Sequence, residues 1–384
     1  MRKLWLTFAQ TATVALAVLF VLTTLKPEWL PQRAQGPQLV ELTQSTQTAA
    51  AEPRVGSYSD AVRRAAPAVV SILTSKEIKV PQHPFFNDPL FRRFFGNNLG
   101  GESQRASGLG SGVIVSARGY ILTNHHVVEA ADEIEVALAD GKKLRAKVIG
   151  TDQETDLAVL HVDRSDLPAV SFGQAESVKV GDVVLAIGNP FGVGQTVTMG
   201  IISALGRSGL QINTYENFIQ TDAAINPGNS GGALTDAAGN LIGINTAIYS
   251  RTGGSLGIGF AIPVSTAKQV MEQIVATGSV TRGWIGVEAQ DITPELVESF
   301  RLPSAKGALI AGVIRGGPAD RGGIKPGDIL LSIDAKPVAD PTAMLNIVAG
   351  LTPGKAVGVR VRRDQKELNL QVEVGKRPPA QRRR

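Results

Sequence analysis

The chain contains no cysteine. That excludes a disulfide scaffold, thiolate zinc sites, iron–sulfur clusters and a cysteine nucleophile. Histidine is scarce: His83, His125, His126 and His161 are the only four, so any imidazole chemistry rests on them. Four are too few for a convincing metal site, and neither metal nor cofactor is expected. No GxxxxGK[ST] string offers a phosphate loop. Aromatic residues make up only 5% against 42 glycines, which favours many tight turns over a large aromatic core. What is present is ordinary for a globular protein, with 43% hydrophobic and 19% charged residues over 384 positions. That length suggests two or three domains. The net charge is +5, but Arg363, Lys366, Lys376, Arg377, Arg382, Arg383 and Arg384 crowd the C-terminal end. The excess therefore describes a basic tail and does not imply nucleic-acid binding.

Residues 4–25 carry no charge and follow Arg2 and Lys3. As a helix they would span roughly 33 Å, enough to cross a bilayer core with the N-terminus in the cytoplasm. No small-x-small cleavage site follows, so a retained signal anchor is expected, with the rest of the chain exported. Residues 26–56, rich in Gln, Thr, Ala and Pro, read as a flexible tether. From 57 to 279 the pattern predicts a short helix at 59–66 with a Ser or Asp cap, then many short strands, among them 68–73, 110–115, 120–123, 133–138, 157–161, 183–188, 195–204 and 241–248. Asp140-Gly141 is a hairpin signal. Such spacing suggests a sandwich or barrel. A helix over 264–277, apolar at Val264, Ala267, Val270, Ile274 and Val275, closes this part. A second unit of mixed strands and helices spans 280–376, and 377–384 form a basic tail.

Gly228-Asn229-Ser230-Gly231-Gly232 is the sharpest local signal. A serine hydroxyl needs a base beside it and donors facing the developing oxyanion. Flanking glycines let the chain turn so that the amides of Gly228 and Ser230 converge, and Pro227 fixes the entry. The base must come from the few histidines, and Tyr120-Ile121-Leu122-Thr123-Asn124-His125-His126-Val127-Val128 places two at a strand end. Thr155-Asp156-Leu157-Ala158-Val159-Leu160 sets a carboxylate just before an apolar strand, where it could hold the imidazole tautomer. Asp163 and Asp166 are rivals by proximity. His126, Asp156 and Ser230 run in the His, Asp, Ser order of chymotrypsin.

These stretches, with Gly110-Ser111-Gly112-Val113-Ile114, Gly188-Asn189-Pro190-Phe191-Gly192, 220–232 and Gly257-Ile258-Gly259-Phe260-Ala261-Ile262-Pro263, resemble the HtrA family of serine proteases. The resemblance covers 60–264 in family order. It implies a mainly β fold, a chymotrypsin/trypsin-like double β-barrel. It assigns His126, directly before Val-Val, as catalytic base, with His125 a bystander. It places the acid on Asp156 and the nucleophile on Ser230, with the oxyanion hole at Gly228, Asn229 and Ser230. His161, His83 and Asp222 are read as structural. Ala224 stands where trypsin-like enzymes carry an Asp for basic substrates. Cleavage after small or medium apolar residues is therefore implied, with Thr246, Ala247 and Ile248 lining the pocket.

Residues 307–334, with Gly317-Pro318-Ala319-Asp320 and Lys325-Pro326-Gly327-Asp328, resemble a mixed α/β PDZ domain over about 282–376. Trp284, Ile285, Gly286 and Val287 then match the carboxylate-binding loop, and an extended peptide would add as a strand. An N-terminal anchor followed by a trypsin-like domain and one PDZ domain is the DegS-like, AlgW-like arrangement within that family. It implies a homotrimer held in the bacterial inner membrane with its folded part in the periplasm. Peptides from the C-termini of unfolded outer-membrane proteins would activate it, and a membrane-spanning anti-sigma factor would be its substrate. Arg207, in Gly206-Arg207-Ser208-Gly209-Leu210, matches an arginine that helps switch the oxyanion loop. One departure is the stretch 81–105, with Phe85, Phe86, Phe91, Phe94 and Phe95, which is longer than in DegS-like proteins. Long versions occur in soluble quality-control members, so a general protease and chaperone is the alternative; a non-catalytic PDZ scaffold is disfavoured by the intact triad.

Overall fold

The computed structural model describes residues 56–78, 104–129, 131–190, 194–248 and 255–378. The expected anchor 4–25, nearly all of the tether 26–56, most of the phenylalanine-rich stretch 81–105 and most of the tail 377–384 lie outside the described residues. Among the described residues no helix is long and apolar enough to cross a membrane.

Helix α1 (Ser59–Ala65) buries Ala61 and Ala65. The expected Ser or Asp cap is not used. Tyr58 is the N-cap, and Asp60 in the first turn with Arg63 and Arg64 in the last meet the helix dipole instead. The first closed barrel follows. Its strands are β1 (Val69–Ile78), β2 (Gln104–Ile114), β3 (Tyr120–Thr123), β4 (Glu133–Ala137), β5 (Lys143–Asp152) and β6 (Leu157–Val162), ordered β1-β2-β3-β6-β5-β4. Helix α2 (His125–Val128) leaves the end of β3. Gly141, at φ 81°, turns β4 into β5 as the Asp-Gly pair predicted. The second closed barrel comprises β7 (Val183–Gly188), β8 (Thr196–Arg207), β9 (Phe218–Thr221), β10 (Ala233–Asp236), β11 (Leu241–Ile248) and β12 (Gly259–Pro263), ordered β10-β11-β12-β9-β8-β7. Helix α3 (Val264–Thr277) packs back on the first barrel's core through Val264, Ala267, Val270, Met271 and Ile274. It stops at Gly278, whose φ of 77° only glycine adopts cheaply.

The remaining elements are β13 (Gly283–Trp284), β14 (Val287–Gln290), α4 (Pro294–Ser299), β15 (Ala308–Val313), α5 (Pro318–Arg321), β16 (Ile329–Ile333), β17 (Lys336–Pro337), α6 (Pro341–Ala349), β18 (Ala356–Arg363), β19 (Lys366–Glu373) and β20 (Gly375–Lys376). The main sheet runs β14-β15-β16-β18-β19, so β14 is an edge strand. Its core, including Ile285, Ile310, Leu330, Met344, Val359 and Val372, is separate from that of the barrels.

A polar seam joins this unit to the barrels. Arg282, just before β13, donates from Nη1 to Asp152 Oδ1 at 2.8 Å and from Nη2 to Asp152 Oδ2. Its guanidinium lies 4.5 Å from the centre of the Tyr215 ring. Arg377 Nε pairs with Glu154 Oε1 at 2.8 Å. From α6, Asn346 Nδ2 donates to the Glu216 carbonyl at 3.0 Å.

Candidate active site

Three loops meet between the barrels. His126 comes from α2, which the end of β3 holds against the first barrel. Asp156 sits in the turn between β5 and β6 with φ 59°, a left-handed conformation that Asp tolerates better than most residues. That turn is anchored by its carbonyl, which accepts from Asn124 Nδ2 at 2.9 Å and from His125 N at 3.2 Å. Ser230 lies between β9 and β10, on the second barrel.

His126 Nδ1 lies 2.7 Å from Asp156 Oδ2, and the His126 backbone N–H donates to Oδ1 at 2.9 Å. The Thr246 hydroxyl donates to Oδ2 at 2.7 Å. Burial pushes the Asp156 carboxyl up, but the hydrogen bond and charge of the imidazole, the His126 N–H and the Thr246 hydroxyl outweigh it and hold the group below its ordinary value. A carboxylate so held fixes the imidazole ring and leaves Nε2 free to take a proton. Thr246, expected as pocket wall, thus turns its hydroxyl to the acid, and its carbonyl accepts from Ser230 Oγ at 3.3 Å.

The Ser230 turn is tightly built. Asn229 N–H donates to the Asn226 carbonyl at 3.0 Å, and Gly228 has φ 97°. With Pro227 at the second position this is a type II turn, which needs glycine at the third. Asn229 N–H is therefore engaged, although the sequence placed it in the oxyanion hole. The Gly228 and Ser230 N–H groups donate to no acceptor among the described residues. Two such amides can stabilise one oxyanion.

The other expected residues fall as follows. Ala224, Ala247 and Ile248 are half-buried, and the Ala224 carbonyl accepts from Thr198 Oγ1 at 2.8 Å. Arg207 ends β8, exposed, and donates to Gln220 Oε1 at 2.8 Å; among the described residues it makes no hydrogen bond to the Ser230 turn. His125 pairs with Glu129, and His161 meets the Arg118 carbonyl and the Tyr120 ring. Asp222 Oδ1 accepts from Ile201 N at 2.7 Å, a structural bond. In the second unit Gly286 (φ 77°) lies under the Trp284 ring, Ile285 is buried in the core and Val287 opens the edge strand β14.

The trypsin-like peptidase domain family matches residues 110–244, and the PDZ domain family matches 283–374. A probable periplasmic serine endoprotease, DegP-like, from Ectopseudomonas mendocina (strain ymp) is 45% identical over 347 residues, covering 86% of this chain and 73% of that protein. The chain belongs to the HtrA-type serine protease family. Among solved structures, the HtrA-type protease AlgW with a decapeptide is 57% identical, with a TM-score of 0.72 over 84% of this HtrA-type chain and 99% of its own. The serine endoprotease from Yersinia pestis is 39% identical at a TM-score of 0.60, over 84% and 98%. This HtrA-type protein is therefore a serine endopeptidase with a PDZ domain attached.

Proposed function

We propose that Ser230 is the nucleophile of this protease, His126 its general base and Asp156 the group that holds the imidazole. The observation that carries this reading is the set of bonds from the Ser230 hydroxyl to the Thr246 carbonyl, from the Thr246 hydroxyl to Asp156 and from Asp156 to His126, with the Gly228 and Ser230 N–H groups unengaged among the described residues. The hydroxyl leaves the Thr246 carbonyl, gives its proton to His126 Nε2 and attacks the substrate carbonyl. The oxyanion is taken by the Gly228 and Ser230 amides. His126 then protonates the leaving amine, and water resolves the acyl-enzyme by the same route. Replacing Ser230 with Ala should abolish cleavage of a peptide substrate while leaving peptide binding by the PDZ domain intact; retained cleavage would refute the nucleophile.

The biological setting we assign is a homotrimeric periplasmic protease tethered to the inner membrane through residues 4–25. Peptides with apolar C-termini from unfolded outer-membrane proteins gate it at Trp284–Val287, and Arg207 takes part in the switch. Its substrate is a membrane-spanning anti-sigma factor, cut after small apolar residues. Support comes from the 57% identity to AlgW, which was solved with peptides bound. The open edge of β14 offers a place for an added strand. On β8, Met199, Ile201 and Leu205 stand exposed, apolar side chains suited to an interface between copies. The folded part from Ser57 should cleave an anti-sigma-factor periplasmic domain far faster with such a peptide than without it or with its amidated form. Equal high rates would favour the second reading, a general quality-control protease, which the 45% identity to DegP-like endoproteases favours.

A further inference from the structure

Ser111, the middle residue of Gly110-Ser111-Gly112, has no role in the chemistry above, yet it is wholly buried and every polar atom it owns is engaged. Its Oγ accepts from the Asn189 N–H at 2.8 Å and donates to the Gly228 carbonyl at 2.6 Å. Its own N–H donates to the Ser230 carbonyl at 2.8 Å, and its carbonyl accepts from Thr123 Oγ1 at 2.7 Å. We infer that Ser111 is a positioning residue for the reaction, an element of the first barrel that fixes the Gly228–Ser230 arc of the second in register with the base. This rests on the assignment of Ser230, His126 and the two amides made above.

The reasons are local. Asn189 N–H occupies a lone pair of Oγ, so the hydroxyl proton is directed at the Gly228 carbonyl and the bond has one sense. Gly228 cannot be anything else, because an added Cβ would lie 2.5 Å from Pro190 Cβ. A glycine is the residue least able to hold its own conformation. The arc that carries both oxyanion donors therefore needs restraint from outside, and Ser111 supplies it at both ends, at the Gly228 and Ser230 carbonyls. Because Ser111 sits on β2 and Thr123 ends β3, directly before the segment bearing His126, the same contact sets the distance between base and nucleophile. A displacement of about an ångström at such a site is enough to slow the chemistry.

The test uses the full-length protein with Ser111→Ala, measured under the peptide condition that gives the highest wild-type rate. Because the effect is on the transition state, kcat should fall by roughly tenfold to hundredfold, below or near the loss of one oxyanion donor, with KM within about twofold. Affinity for a peptidyl trifluoromethyl ketone, whose tetrahedral adduct uses the same amides, should fall in step with kcat/KM. Binding of a C-terminal peptide to the PDZ domain should not change. A folded variant with kcat within twofold of wild type would overturn the inference. So would a loss confined to KM. If Ser111→Ala does not fold, Ser111→Cys, nearly the same shape but a weak donor, is read by the same criteria. Failure of both to fold would make Ser111 a residue of barrel assembly only and also overturn it. Ser230→Ala separates this from the underlying reading: if that variant still cleaves, the site itself is wrong and the inference falls with it; if it is inert while Ser111→Ala is fully active, only the role of Ser111 is wrong.

Discussion

Asp156 accepts three donors, from His126 Nδ1, His126 N and Thr246 Oγ1, and each favours its ionised form. With the folded value below the unfolded one of about 3.9, its contribution to stability is full at neutral pH. It is lost only as the pH falls through the lower, folded value. Replacing Thr246 with Val removes one donor, worth about 2 kcal/mol to a charged acceptor. Urea unfolding between pH 2 and 5 should then show a smaller acid-dependent loss of stability in the variant than in wild type, because its folded value lies closer to the unfolded one, and kcat/KM at neutral pH should drop about tenfold or more. An unmoved acid limb would mean that the hydroxyl does not support the carboxylate. The proposed triad could be picked out in the sequence because each member sits in a short contiguous motif. The part played by Thr246 could not, since it depends on β11 of the second barrel meeting Asp156 of the first, a contact between residues 90 positions apart. Asn229 shows the same limit: a motif places its amide near the hole, but only the turn geometry reveals that Asn226 has already taken it.

The segment between β8 and β9 is organised by a single side chain. The Glu216 carboxylate, almost wholly buried, accepts from the N–H groups of Leu210, Ile212 and Asn213. Beside it, the Tyr215 hydroxyl is buried without a partner among the described residues. Burial is the main reason its value is pushed up to about 12. Between about pH 10 and 12 the unfolded chain has lost this proton while the folded one keeps it, so stability falls as pH rises. Tyr215→Phe keeps the ring under Arg282 and removes an unsatisfied hydroxyl. It should be neutral or stabilising by up to about 1 kcal/mol at neutral pH, and should flatten that alkaline slope in chemical unfolding. A strongly destabilised variant would show that the hydroxyl has a partner. Strands β9 and β12, which flank this region in the barrel, escaped sequence reading. Phe218–Thr221 and Gly259–Pro263 are short and buried on nearly every residue, so neither alternates. Longer elements with a wet face, and the helix α3 with its single apolar stripe, were readable for the opposite reason.

At the scale of the whole chain, the seam rests on Arg282 and Asp152, both nearly buried. Arg282→Ala leaves the Asp152 charge buried with its main partner gone, which costs on the order of 3 kcal/mol. The PDZ unit should then sit loosely on the barrels, seen as a larger radius of gyration in small-angle scattering; an unchanged radius would mean that Asn346 and Arg377 suffice. No sequence motif marked this pair, because its members lie far apart in the chain and neither belongs to a catalytic pattern.

Each barrel closes on its own strands, and residues 163–182, exposed around Lys179–Asp182, join β6 of the first to β7 of the second. His126 and Asp156 stay on one side of that link and Ser230 on the other. Cut there and expressed as two pieces, the protein would yield halves that each complete their hydrogen-bonded ladders yet lack half the chemistry. Peptide hydrolysis would return only on reassembly, so the link is a natural place to build a fragment-complementation sensor.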